Sequence, residues 1–214
     1  MKKVLGVFGV LAMLFAVPAN AADMNIGFSL IGGQYETDGT ETEKTVSGVT
    51  SETNSASKKE TFYGASLFAE YEMDNGIRLG LDYVPMDVKL GAGARNDGTG
   101  SADVAAEADT GDRSAEANVE DLWTVYTHVP IGSVYAILGY HGADITTKET
   151  LPTSTYGNAS INGWQYGLGI QRDMMRFEIA YSDFDSISLA STSSATQTIT
   201  ADADALAAKL SFAF

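Results

Sequence analysis

The feature that most constrains this chain is a strict two-residue period. In residues 63–73, Tyr63, Ala65, Leu67, Ala69, Tyr71 and Met73 fall on one side, and Gly64, Ser66, Phe68, Glu70 and Glu72 on the other. Side chains alternate in this way only along a β-strand, so the segment reads as a strand with one oily and one polar face. Asp74-Asn75-Gly76 follows, and Asn-Gly between two alternating runs is a tight-turn signal. Beyond it Ile77, Leu79, Leu81 and Tyr83 alternate with Arg78, Gly80, Asp82 and Val84.

The same pattern recurs to the end of the chain. Trp164, Tyr166, Leu168 and Ile170 alternate with glycine and glutamine, Arg172-Asp173-Met174 turns, and Met175, Phe177, Ile179 and Tyr181 alternate with Arg176, Glu178, Ala180 and Ser182. Leu206, Ala208, Leu210, Phe212 and Phe214 close the chain opposite Ala205, Ala207, Lys209, Ser211 and Ala213. Residues 119–129 and 133–142 flank Pro130-Ile131-Gly132, and a first strand runs over about 23–35, with less clean faces, notably at Trp123 and Tyr135. Eight strands result. Three connections are tight, and four (36–60, 85–118, 143–160 and 185–201) are long, polar and read as loops. Unstructured loops of that length argue against a compact soluble domain, whereas short turns on one rim and long loops on the other suit a transmembrane barrel. A hidden hairpin in 104–117 would raise the count to ten, but its Gly, Asp and Glu content argues for loop.

Residues 1–21 are expected to be a secretory signal peptide. Lys2-Lys3 form a positive start, residues 4–17 are uncharged and apolar, and Pro18-Ala19-Asn20-Ala21 ends in a small-x-small cleavage pattern, placing the mature barrel at 22–214. The apolar run falls short of the ~20 residues a spanning helix needs. The chain lacks cysteine, which excludes disulfides, thiol chemistry and Cys-ligated metals. With 28 acidic against 13 basic residues and a net charge of −15, nucleic acid is excluded as a partner, because phosphate binding needs clustered Lys and Arg.

Periodicity alone does not say whether the oily face points in or out. The polar face is dominated by Gly, Ala and Ser in several strands, which suits a cramped lumen better than a solvated surface. Tyr63, Tyr71, Tyr83, Trp164, Tyr166 and Tyr181 lie on the apolar face, mostly toward strand ends, as membrane-interface aromatics do. The terminal segment Leu206-x-Ala208-x-Leu210-Ser211-Phe212-Ala213-Phe214 resembles the closing strand of bacterial outer-membrane proteins. The whole mature chain is similar in architecture to the small OmpA-like, OmpX-like and Opa-like outer-membrane barrels. That resemblance implies an all-β, eight-stranded antiparallel transmembrane barrel in a Gram-negative outer membrane, with Leu210, Phe212 and Phe214 as the signal read by the barrel-assembly machinery. It further implies contact with outer-membrane lipid and lipopolysaccharide and a monomeric state.

The polar face carries Glu70, Glu72, Arg78, Asp82, Arg176, Glu178 and Lys209. A barrel of eight strands encloses little more than its own side chains, and a buried ion without a partner costs several kcal/mol. The three cations are therefore expected to pair with the four acids and fill the lumen. No cofactor, metal or catalytic residue is expected: neither acidic loop has the spacing of a calcium loop, and the two histidines, His128 and His141, are expected at opposite rims, too far apart to share a site. The chain reads as a non-enzymatic barrel with a structural and surface-presenting role. A narrow passive channel is the alternative, and a carrier of small hydrophobic molecules, as OmpW-like barrels are thought to be, fits the charged lumen worst. The fourth long segment, 186–200, is expected as a β-extension above the membrane, presented to an unidentified partner.

Overall fold

The computed structural model describes residues 24–44, 48–97, 111–150, 155–192 and 197–214; the expected signal peptide lies outside them. Among the described residues nine strands follow one another: β1 (Met24–Lys44), β2 (Thr50–Glu72), β3 (Arg78–Val84), β4 (Val88–Asp97), β5 (Gly111–Ile131), β6 (Val134–Thr150), β7 (Ala159–Arg172), β8 (Met175–Ala190) and β9 (Gln197–Ala213). All pairings are antiparallel between neighbours, β1 pairs with β9, and β3 and β4 both pair with β5, so the sheet closes into a ring.

The ring has eight walls because β3 and β4 share one. Arg78 to Val84 run opposite His128 to Leu122, and Val88 to Asp97 continue opposite Val119 to Gly111. Pro85 interrupts that wall; proline has no N–H to give a ladder. Residues 111–117 thus lengthen an existing wall rather than adding two more.

The tight turns lie where expected. Gly76 has φ 79°, a left-handed conformation that costs glycine nothing, and the Ile77 amide donates to Asn75 Oδ1 at 3.0 Å. The four long loops, in contrast, are largely strand. Glu36 pairs with Lys59 and Thr40 with Ser55 in a ladder that continues to Lys44 and Thr50; β6 runs to Thr150, and β8 and β9 extend to Ala190 and from Gln197. Only the last of these extensions was expected. Above the apolar band both faces of a hairpin meet water, so the two-residue hydrophobic period that announces a strand disappears while backbone pairing persists.

The exterior is apolar and the interior charged. Leu30, Leu67, Leu168, Ile170, Ile179 and Leu206 are each at least half exposed, whereas Ser29 and Glu70 are fully buried. At about 1.5–3 kcal/mol for each large apolar side chain left in water, such a surface is at equilibrium only in an apolar medium.

Candidate functional site: the lumen

The lower lumen, next to the tight turns, gathers charge from β2, β3, β8 and β9. Arg176 on β8 reaches across to Glu70 on β2 with both forks, Nη1 to Oε2 at 2.8 Å and Nη2 to Oε1 at 2.5 Å. Planar guanidinium against carboxylate is the geometry in which paired charges attract most strongly. Glu70 also accepts from Tyr126 (3.0 Å) and Asn25 (3.4 Å) and lies 3.7 Å from Arg78 Nη1. Gln171 accepts from Arg176 Nε at 3.1 Å and from Arg78. Lys209 on β9 meets Asp82 on β3 at 2.5 Å, and Ser66 donates to the same oxygen at 2.9 Å. Glu178 accepts from Tyr135 at 2.6 Å and stands 3.6 Å from His128 Nε2.

Five of the seven charges expected in the lumen therefore pair with one another, and Glu178 is held by Tyr135 and His128 in place of a cation. Glu72 joins neither: it is exposed on the last residue of β2, because the strand has there reached the rim. Tyr126, Tyr135 and Gln171 complete the arrangement and were not singled out from sequence. Glycine on a facing strand was the available signal. A Cβ on Gly80 would lie 2.2 Å from the Tyr126 ring, and one on Gly169 would lie 2.3 Å from that of Tyr135, so each glycine marks the slot of an inward tyrosine.

The histidines are not rim residues. His128, 3% exposed, is stacked between Tyr126 and Tyr135 at 4.5 and 4.6 Å. His141, 2% exposed, stacks on Phe184 at 4.4 Å, and both histidines line one lumen cavity. On the parity of their strands they face inward with Thr124 and Tyr126, and strand length alone misplaced them.

Above the charges the lumen turns apolar. Ala143, Ile145 and Ile161 are buried and packed by Leu90, Val119, Leu122, Phe184 and Ile187. A cavity of about 120 Å³ lies between this cup and the charged floor. The wall beside it is incomplete. Pairing between β2 and β3 runs only from Glu72 opposite Arg78 to Leu67 opposite Tyr83, and β4 pairs with β5 alone among the described residues. Side chains bridge to upper β4: the Tyr35 hydroxyl on β1 is within reach of the carbonyls of Lys89 (3.0 Å) and Leu90, and Lys58 on β2 donates to that of Ala92 (3.3 Å).

On the exterior, Tyr63, Trp164, Tyr166 and Tyr181 are exposed, while Tyr71 and Tyr83 are half-buried; Tyr83 donates to Asp121 at 2.6 Å. Trp123, Tyr140 and Trp164 form an arc with centroids 6.2 and 5.1 Å apart. At the other rim Phe28 stacks on Phe212 (5.2 Å) and Phe214 (6.4 Å), Leu210 lies opposite Leu30, and Phe214 and Ile26 exchange backbone hydrogen bonds that close the ring.

No protein-family model matches the chain, and no curated protein matches it. Among solved structures it is similar to Neisserial surface protein A, at 11% identity and TM-score 0.44 over 87% of this chain and 97% of that one. It is similar to the attachment invasion locus protein Ail of Yersinia pestis at 13% identity and TM-score 0.35, over 87% and 99%. The outer membrane protease OmpT of Escherichia coli matches at 9% identity and TM-score 0.44, over 91% and 98%. These are likenesses of architecture.

Proposed function

We propose that the chain is an integral outer-membrane barrel whose lumen is plugged near the tight-turn rim and whose long hairpins are its working surface. One observation carries the reading. The molecule is inverted relative to a soluble protein, with Leu, Ile and Phe outside and six paired or hydrogen-bonded charges inside. An apolar belt edged by aromatics is what a bilayer accepts, and export would deliver the chain to it. Cross-lumen pairs between β8 and β2, and between β9 and β3, tie walls three strands apart together and leave little room for ions to pass. On this reading the role is non-enzymatic, and the histidine beside Glu178 is held between two tyrosine rings as part of the lumen filling. Barrel-assembly recognition is assigned to Leu210, Phe212 and Phe214, whose strand closes the ring, and contact with lipid and lipopolysaccharide to the exposed belt. The barrel acts as a monomer.

The orientation is directly testable, because the chain has no cysteine. In whole cells, Ala56→Cys in the β1–β2 hairpin reacts with a membrane-impermeant maleimide, and Asn75→Cys in the tight turn reacts only after the outer membrane is opened. Equal labelling of both sites in intact cells contradicts the reading.

A second reading has its own support. The apolar cup above the charges and the unladdered wall between β2 and β4 favour a site for small hydrophobic molecules more than the charge count alone suggests. A narrow ion channel has no comparable support, since the charges at its floor are engaged with one another.

A further inference from the structure

Above the apolar cup, the segment between β6 and β7 turns into the mouth of the barrel instead of away from it. Of residues 155–158, Thr155, Gly157 and Asn158 are exposed, whereas Tyr156 is 3% exposed. Connections ordinarily run over surfaces that meet water, so a buried ring at this position has a structural cause. It is held at both ends. The Tyr156 amide donates to Glu149 Oε2 on β6 at 2.9 Å, and its hydroxyl donates to Glu41 Oε1 on β1 at 2.8 Å. Both carboxylates lie on the inward face: Glu41 shares the parity of Ile31 and Tyr35, and Glu149 that of His141 and Ile145. In the closed ring β1 and β6 stand four walls apart in either direction, so Tyr156 links diametrically opposite walls.

The same segment is tied to the β8–β9 hairpin. The Thr155 amide donates to Ser191 Oγ at 3.2 Å, and the Thr192 amide and hydroxyl donate to the Thr155 carbonyl at 2.7 and 3.1 Å. Gly157, at φ 85°, takes the left-handed turn that brings the chain back beside β6. There Thr147 donates from its hydroxyl to the Gly157 carbonyl and from its amide to Asn158 Oδ1, each at 3.1 Å.

We propose that residues 155–158 form a lid over the outward mouth, latched across it by Tyr156 and opened by release of the Tyr156–Glu41 hydrogen bond. The ties to β6 join the lid to its own strand, whereas the bond to Glu41 reaches the far wall. Its loss leaves the lid hinged on β6 and uncovers the mouth. With the charged floor below, the latched lid encloses the apolar cup between two closures and leaves the unladdered wall between β2 and β4 as its side route. This goes beyond both readings of function, adding an outward gate and the residues that hold it shut.

The absence of cysteine supplies the experiment. Ala203→Cys, on the inward parity of Lys209, places a single thiol opposite Phe184 and two inward positions below Ile199, the ladder partner of Glu41. Its reaction with a positively charged, membrane-impermeant methanethiosulfonate is timed on the refolded barrel in phospholipid nanodiscs. Labelling is expected to be about tenfold faster once Tyr156→Phe or Glu41→Ala is added, as loss of one hydrogen bond to a charged group implies for the open population. The two changes together should be no faster than either alone, since both break one latch. They lie on different segments, so if one variant does not fold, by heat-modifiable migration on gels, the other decides. Equal rates with and without the latch, whether fast or slow, overturn the lid. Additive effects of Tyr156→Phe and Glu41→Ala overturn the latch between them.

Discussion

Arg176 and Glu70 are the pair on which the lumen turns. Each is almost wholly buried: removing Glu70 would leave Arg176 without its carboxylate, and removing Arg176 would leave Glu70 with Arg78 at 3.7 Å and Tyr126 alone. Truncating one partner of a buried pair typically costs 3–5 kcal/mol, whereas exchanging both for apolar groups is often neutral. Arg176→Leu is therefore expected to lower unfolding stability in lipid vesicles by about that amount, measured by urea titration of tryptophan fluorescence. The double substitution Arg176→Leu with Glu70→Leu removes both ions but also the carboxylate beside Arg78, so it should recover part of the loss, and a double variant as unstable as the single one would speak against the pairing. Outside the membrane band, Glu116 accepts from Lys89 at 2.9 Å. This hydrogen bond, reinforced by Asn118, holds the Glu116 carboxyl below the usual carboxylate range. A lowered folded-state value means that the contact stabilises the β4–β5 hairpin above the ordinary carboxylate range and is lost as pH falls through the folded one. Carboxyl-carbon NMR should show Glu116 titrating low in the unaltered protein and higher in Lys89→Ala. At this scale the sequence told which charges face inward, since parity alone placed Glu70, Arg78, Asp82, Arg176, Glu178 and Lys209. It did not tell that tyrosines complete them, because Tyr135 sits on a strand whose alternation is blurred by Ala136 and Gly139.

Among the elements, the hairpins divide into a part that holds the barrel and a part that does not. The β1–β2 ladder runs on from Met24 opposite Tyr71 to Lys44 opposite Thr50, but only its lower half carries the apolar outward residues. From Glu36 upward the contacts between the two strands are Thr, Ser and charge pairs such as Glu36–Lys59 at 3.0 Å, and exposed ion pairs contribute little. Replacing residues 38–57 by a two-residue Asn-Gly turn should leave a folded barrel, seen as unchanged heat-modifiable migration on gels. Gly169→Val should instead prevent folding, because its side chain would enter the Tyr135 ring in the lumen. The elements below the membrane boundary were legible from their period of two, and so were the turns at Asn75-Gly76 and Gly132. The strand extensions were not, because a hairpin with water on both faces has no hydrophobic period to read. The split of one wall into β3 and β4 has its sequence mark in Pro85.

For the molecule as a whole, closure and plugging come from the same strands. The last strand pairs with the first through Phe212 opposite Phe28 and Leu210 opposite Leu30, and it also delivers Lys209 to Asp82 across the lumen. Deleting Phe212-Ala213-Phe214 removes the end of that ladder and is expected to abolish assembly in cells, with the protein recovered as a protease-sensitive species. Eight walls, tilted as barrel strands are, leave an interior that side chains fill, and here the filling is ionic at one end and apolar at the other. On the proposed reading, the engaged ions at the floor close the path to ions. The central claim is that the floor is shut. Single-channel recording of the refolded barrel in a planar bilayer tests it most directly: the account predicts no steady conductance for the unaltered protein and leak openings once Arg176→Ala and Lys209→Ala are combined. Steady, ion-selective openings in the unaltered barrel would contradict it.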